Sequence, residues 1–169
     1  KPSTAKEFAD AILPLIKNTD CQLILEPGRF IVGNAGILVA KVLYIKETSK
    51  KKFIIVDAGM NDLIRPSLYG SYHQIVPVVK HDKTITADIV GPICESGDFF
   101  ALDRIIRKVD ANEFIVIMSA GAYGFSMSSN YNSRTKPAEV IVKGKKTVLV
   151  RKRETYSDLI KGEKIVRIN

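Results

Sequence analysis

Three observations predict a mainly β chain: a closed or nearly closed β-barrel preceded by one helix–strand unit of an α/β protein. Seven β-rich runs follow Ile37, separated by turn signals. Before them stands an amphipathic helix followed by a short, almost wholly apolar run. No apolar run reaches the length of a membrane span.

The helix is expected over Thr4–Lys17. Thr4 and Glu7 match a capping box, and Phe8, Ile12, Leu15 and Ile16 recur on one face. Pro14 should kink it or end it early. Cys21–Leu25 then reads as a parallel strand covered on both faces. Glu26-Pro27-Gly28-Arg29 follows the strand's carboxyl end. Its glycine would let backbone N–H groups approach a ligand, and its arginine could hold a carboxylate or phosphate in a fork; an ordinary turn fits the same tetrapeptide. Asn34–Gly36 suggests a short helical turn, and the boundary between the two units falls at Val32–Gly36, giving domains 1–36 and 37–169.

The expected strands are Leu38–Ile45, Phe53–Val56, His73–Val79, Ile85–Val90, Phe114–Met118, Glu139–Val142 and Thr147–Val150. The last two form a hairpin around Lys143-Gly144-Lys145-Lys146. Asp158–Asn169 reads as a basic closing element.

Three irregular stretches interrupt this pattern. In Asp57–Gly70, Arg65 and Tyr69 stand four apart, so a helical turn would place both on one side to bind one anionic group. A surface ion pair and a packed ring account for them equally well. In Ile89–Asp98, Cys94 and Glu95 sit side by side in a loop punctuated by Gly91, Pro92 and Gly97. An unpaired cysteine is more commonly a small buried hydrophobe. A neighbouring carboxylate, however, favours the protonated thiol, which suits a general acid better than a nucleophile. In Ser119–Ser133, Tyr123 lies between glycines, where its hydroxyl could reach a phosphate or simply anchor the loop.

The net charge of +8 and pI near 9.5 come largely from Lys50–Lys52, the lysines of 143–146 and Arg151–Arg153. They fit a nucleic-acid binder or an enzyme for anionic small molecules. Cys21 and Cys94 form neither a disulfide framework nor a zinc-ligand spacing, so no metal is expected and a reducing cytoplasm is. The start at Lys1, without methionine, suggests a processed or cut chain.

Taken together, EPGR at 26–29, DAGMNDLIRPSLYG at 57–70, GPICESGD at 91–98 and GAYGFSMSSNYNSR at 121–134 resemble the C-terminal part of the diaminopimelate decarboxylase family. These belong to the fold-type III pyridoxal-phosphate decarboxylases. The resemblance implies a β-barrel domain preceded by the last helix–strand unit of an α/β (TIM) barrel, and an active site shared across a homodimer. It implies that Glu26, Pro27, Gly28, Arg29 and Tyr123 contact pyridoxal 5'-phosphate, and that Arg29, Arg65, Tyr69, Glu95 and Tyr123 bind substrate. Cys94 would act as proton donor, with Glu95, in the partner subunit's site. The family's Schiff-base lysine has no matching segment here, so the chain alone should be inactive. Diaminopimelate ranks above ornithine or arginine as substrate, because Arg65 beside Glu95 complements a distal zwitterion. A nonenzymatic basic β-barrel that binds nucleic acid is the remaining alternative; no membrane partner is expected.

Overall fold

Helix α1 (Ala5–Ile16) starts where the capping box places it. The Thr4 hydroxyl accepts the Glu7 N–H at 3.2 Å, and Glu7 accepts the Thr4 N–H at 2.6 Å. Pro14 lies in the last turn and the helix runs two residues beyond it, so the expected early stop does not occur. This is a computed structural model that describes residues 3–168; the Lys1-Pro2 start and the final residue of the closing element, Asn169, lie outside the described residues.

The strand expected at Cys21–Leu25 does not form. All five residues are exposed, and no neighbouring strand among the described residues offers partners to their N–H and C=O groups. Instead, apolar side chains of α1 and of 23–31, among them Phe8, Ile12, Leu23, Leu25 and Phe30, line an open groove of about 600 Å³. The Glu26–Arg29 turn leads into a second short helix, α2 (Gly28–Val32), and a 3-10 turn at Gly33–Ala35 follows, as the Asn34–Gly36 reading anticipates.

Six strands form one sheet: β1 (Leu38–Glu47), β2 (Lys52–Val56), β3 (Ile75–Pro77), β4 (Thr84–Val90), β5 (Phe99–Arg107) and β6 (Phe114–Ile117). Their order is β3-β6-β1-β2-β4-β5. The sheet curls until its edge strands meet. There Arg104 on β5 donates to the His73 carbonyl at 2.9 Å, and its guanidinium lies 4.1 Å from the centre of the Tyr72 ring. Side chains close the seam in place of a hydrogen-bonded ladder, so the barrel is nearly closed, as expected. Val42, Ile54, Val56, Leu63, Ile89, Phe100, Ile115 and Ile117 fill it and are almost wholly buried. Each contributes about 1.5–3 kcal/mol of apolar burial.

Two corrections concern the strands. β5 is absent from the expected set because Asp103 and Arg104 interrupt its apolar pattern; Asp103 has φ 45°, and its N–H donates to buried Asp88 at 2.6 Å in an irregular stretch of the β4–β5 ladder. The final hairpin, β7 (Glu139–Lys143) and β8 (Lys146–Arg151), forms where expected but as a separate two-stranded sheet. Gly144, at φ 60°, supplies its turn. A last short helix, Tyr156–Leu159, follows within a capping box of Thr155 and Asp158.

Candidate active-site rim

Strand directions bring the four motif segments to one end of the barrel. β2 and β4 are parallel neighbours, and β1 is antiparallel to both β2 and β6, so β2, β4 and β6 all point the same way. The segments that leave them, 57–70, 91–98 and 118–134, therefore emerge at one rim. β1 runs oppositely, so the 26–36 segment that precedes it enters at the same rim.

Backbone contacts lock the first and last of these segments together. The Gly121 N–H donates to the Gly33 carbonyl at 3.0 Å, and the Ala120 N–H to that of Gly36 at 2.8 Å. Ser119 donates to Asn34 at 2.8 Å. Glycine at 121 makes this possible, since a Cβ there would lie 2.0 Å from the Val32 carbonyl oxygen. The tight path holds Tyr123 at φ 57°, a left-handed conformation that is costly for a tyrosine.

Helix α3 (Arg65–Tyr69) provides the helical turn expected there, with Pro66 buried in its first turn. The Arg65 guanidinium carbon sits 5.6 Å from the centre of the Tyr69 ring and 5.4 Å from that of Tyr123. One cation is thus held between two phenols, and Arg65 makes no ion pair among the described residues. Arg29 lies on the segment that enters this rim, its Cγ 3.6 Å from where a Gly33 Cβ would be, with the Ala122 Cβ 3.9 Å from the same point. Glu26 and Pro27 face the groove beside α1 instead.

Cys94 and Glu95 occupy the next loop, and both are exposed. Among the described residues they make no hydrogen bond or ion pair with Arg65, Tyr69 or Tyr123. Glu95 accepts the Gly97 N–H at 3.3 Å and the Tyr131 hydroxyl at 3.1 Å. That carboxylate, with the Cys94 thiol nearby, pushes the Tyr131 phenol above its ordinary range. Gly97 packs under α3: a Cβ there would lie 2.7 Å from Ser67 Oγ, so the loop and the arginine helix form one wall.

Buried Asp98 braces this loop. Its carboxylate accepts the Ile93 N–H at 2.6 Å and the Met60 N–H at 2.7 Å, tying the cysteine loop to the stretch leading into α3. Burial outweighs both donors and moves the Asp98 carboxyl above the ordinary carboxylate range. Asp62, which accepts the Gly59 N–H at 2.9 Å, is raised for the same reason. Arg134 adds a second stitch by donating to Asn61 Oδ1 at 3.1 Å and to the Asp57 carbonyl. At the opposite rim, His81 Nε2 lies 2.9 Å from the Glu113 carboxylate, and Lys108 pairs with Asp110 at 2.8 Å.

Residues 18–121 match the family model described as the pyridoxal-dependent decarboxylase, C-terminal sheet domain. The chain belongs to this family. A diaminopimelate decarboxylase of Aquifex aeolicus is 53% identical over 161 residues, which are 95% of this chain and 38% of the relative. One from Zymomonas mobilis is 48% identical over 166 residues, 98% of this chain and 39% of its own. The crystal structure of the M. jannaschii diaminopimelate decarboxylase in complex with L-lysine superposes with a TM-score of 0.92 at 42% identity, covering 98% of this chain and 39% of that one. The chain therefore spans about two fifths of the length of these relatives.

The structure adds three residues to those expected from sequence. Asp98 and Tyr131 both lie inside motifs read as chemistry-bearing, yet the contacts that give them their roles, Asp98 with Met60 and Tyr131 with Glu95, span 38 and 36 residues of chain. Arg134 ends the last motif, and its partner Asn61 lies 73 residues away.

Proposed function

We propose that the full-length protein decarboxylates meso-2,6-diaminopimelate to L-lysine and carbon dioxide, with pyridoxal 5'-phosphate as cofactor. The observation that carries this reading is Arg65 held between Tyr69 and Tyr123 on the rim that also presents Cys94 and Glu95. Residues 1–36 would close an α/β barrel supplied upstream, and residues 37–169 form the β-domain. No helix among the described residues is long and apolar enough to cross a membrane; the proposed setting is the cytoplasm.

The donor set at the rim suits a phosphate dianion. Arg29 would supply a guanidinium, Tyr123 a hydroxyl, and Gly28 an approachable backbone at the start of α2, where a Cβ would meet nothing within 4 Å; Glu26 and Pro27, which line the groove beside α1, stand outside this set. When bound, pyridoxal phosphate supplies a sink for the electron pair left as carbon dioxide departs. Arg65 and Tyr69 hold the carboxylate at the far end of the substrate, and Glu95 holds the ammonium beside it. The Cys94 thiol delivers a proton to the carbon that has lost its carboxylate. Cys94 and Glu95 do this in the partner subunit's site of a homodimer, a placement supported by their exposure and by their lack of any bond to Arg65.

Ornithine or arginine would leave the half-buried Arg65 without an anion, at a cost of up to roughly 1–3 kcal/mol once cofactor and substrate exclude water. A nucleic-acid role is disfavoured because Tyr69 and Tyr123 gather around one arginine and do not line a basic face. The test is turnover by the purified full-length protein, loaded with pyridoxal phosphate and offered diaminopimelate, ornithine and arginine separately. Lysine release from diaminopimelate at far higher kcat/KM is expected; preference for ornithine or arginine would overturn the assignment.

A further inference from the structure

We infer that Tyr131 is a positioning residue that holds the Glu95 carboxylate in place for an ammonium group of the substrate. The inference rests on the function proposed above and adds a residue to it.

Glu95 sits in an exposed loop, where a carboxylate on two methylenes would ordinarily sample several rotamers. Here each oxygen has a fixed donor. Oε1 accepts the Gly97 N–H at 3.3 Å and Oε2 the Tyr131 hydroxyl at 3.1 Å. Every carboxylate oxygen has a second acceptor site, so both remain able to receive N–H bonds from an ammonium.

The phenol itself is mounted on a stiff base. The Tyr131 N–H donates to Ser129 Oγ at 3.3 Å, and the Ser129 N–H to the Asn61 carbonyl at 2.9 Å. Asn130 donates to Glu154 at 2.6 Å and to the Arg134 carbonyl at 2.9 Å. Asn132 and Ser133 then turn the chain sharply through left-handed conformations, at φ 57° and 56°. The turn thereby aims the ring back across the rim at the Cys94–Glu95 loop. That loop is anchored through Asp98, which accepts the Met60 and Ile93 N–H groups. Both segments are thus stitched to the same 57–62 stretch, the loop at Met60 and the tyrosine segment at Asn61, and on that common base the tyrosine hydroxyl fixes where the negative charge stands.

Tyr131→Phe removes the hydroxyl and keeps the ring. In the full-length, cofactor-loaded protein it should raise KM for diaminopimelate roughly three- to tenfold, the range expected for one ordinary hydrogen bond at an exposed site, with kcat changed far less. Glu95→Gln should raise KM as well, and the double variant should be no worse than Glu95→Gln alone. A second readout needs no turnover: in an alkaline spectrophotometric titration, Glu95→Gln should let one tyrosine ionise at lower pH than in the unaltered protein. That difference should vanish when Tyr131 is Phe in both.

An unchanged KM in Tyr131→Phe, or additive effects in the double variant, would overturn the inference while leaving the decarboxylase reading intact. So would a tyrosine titration indifferent to Glu95. If the unaltered protein does not act on diaminopimelate at all, the functional reading falls and takes the substrate-positioning role with it.

Discussion

Gly121 lies against Val32 so closely that a single added methyl would stand 2.0 Å from the Val32 carbonyl oxygen and 2.7 Å from the Gly36 nitrogen. Both obstructing atoms are backbone, so neither can swing aside as a side-chain tip could. Gly121→Ala should therefore push the 119–124 loop off the 28–36 segment. The expected loss is about 1–3 kcal/mol or more of stability, read by urea unfolding of the full-length protein. Tyr123 should move with the loop and raise KM for substrate. Unaltered stability would mean that the two segments are not in register as described.

Asp98 makes a different prediction, about pH. Its folded-state carboxyl is raised by burial, so in the interval between the ordinary aspartate range and that raised value the folded chain holds the proton more firmly than the unfolded one. Its contribution is therefore fully present below the ordinary range and declines as pH rises through the raised value. Asp98→Asn has no such titration, and it places an amide N–H₂ against the Met60 or Ile93 N–H. The substitution should cost about 1–3 kcal/mol. That deficit should be larger at acid pH than at neutrality, as measured by denaturant melts over a pH series. A deficit that grows with rising pH would show the carboxylate to be net stabilised by its donors.

The β1, β2, β4, β6 and hairpin runs were legible because β-branched residues there alternate or cluster between turn signals. β5 was not, since Asp103 and Arg104 serve Asp88 and the barrel seam and so spoil its apolar pattern. Cys21–Leu25 misled for the converse reason: it has a strand's composition without any strand among the described residues to pair with. The Arg65–Tyr69 pairing could be read from a spacing of four. Its convergence with Tyr123, and that of Tyr131 with Glu95, depends on which way three strands point, and no local pattern records that.

Cys94→Ala tests the proton-transfer role. The side chain is exposed at the rim, so its loss opens no core cavity and stability should change by less than about 0.5 kcal/mol. Turnover of diaminopimelate should fall roughly 10²- to 10⁴-fold, the usual contribution of a positioned acid. Cofactor absorbance and affinity should be unaffected, because the thiol sits in the Glu95 loop and not in the Arg29–Tyr123 group. An unchanged kcat would remove Cys94 from the chemistry.

Arg65→Lys separates charge from geometry. The guanidinium lies within 6 Å of both the Tyr69 and Tyr123 rings, and its Nη2 donates to Ser71 Oγ at 3.3 Å. Lysine keeps the positive charge but loses the planar fork that can grip both oxygens of a carboxylate while lying between two rings. The substitution should cost diaminopimelate roughly 1–3 kcal/mol in kcat/KM, about a ten- to hundredfold loss. A substrate that lacks the distal carboxylate, such as ornithine, has no fork contact to lose, so its turnover should change far less. Comparing the two losses in one variant cancels any general disturbance of the rim. Equal losses would mean that Arg65 supports the fold of the rim and does not read the far end of the substrate.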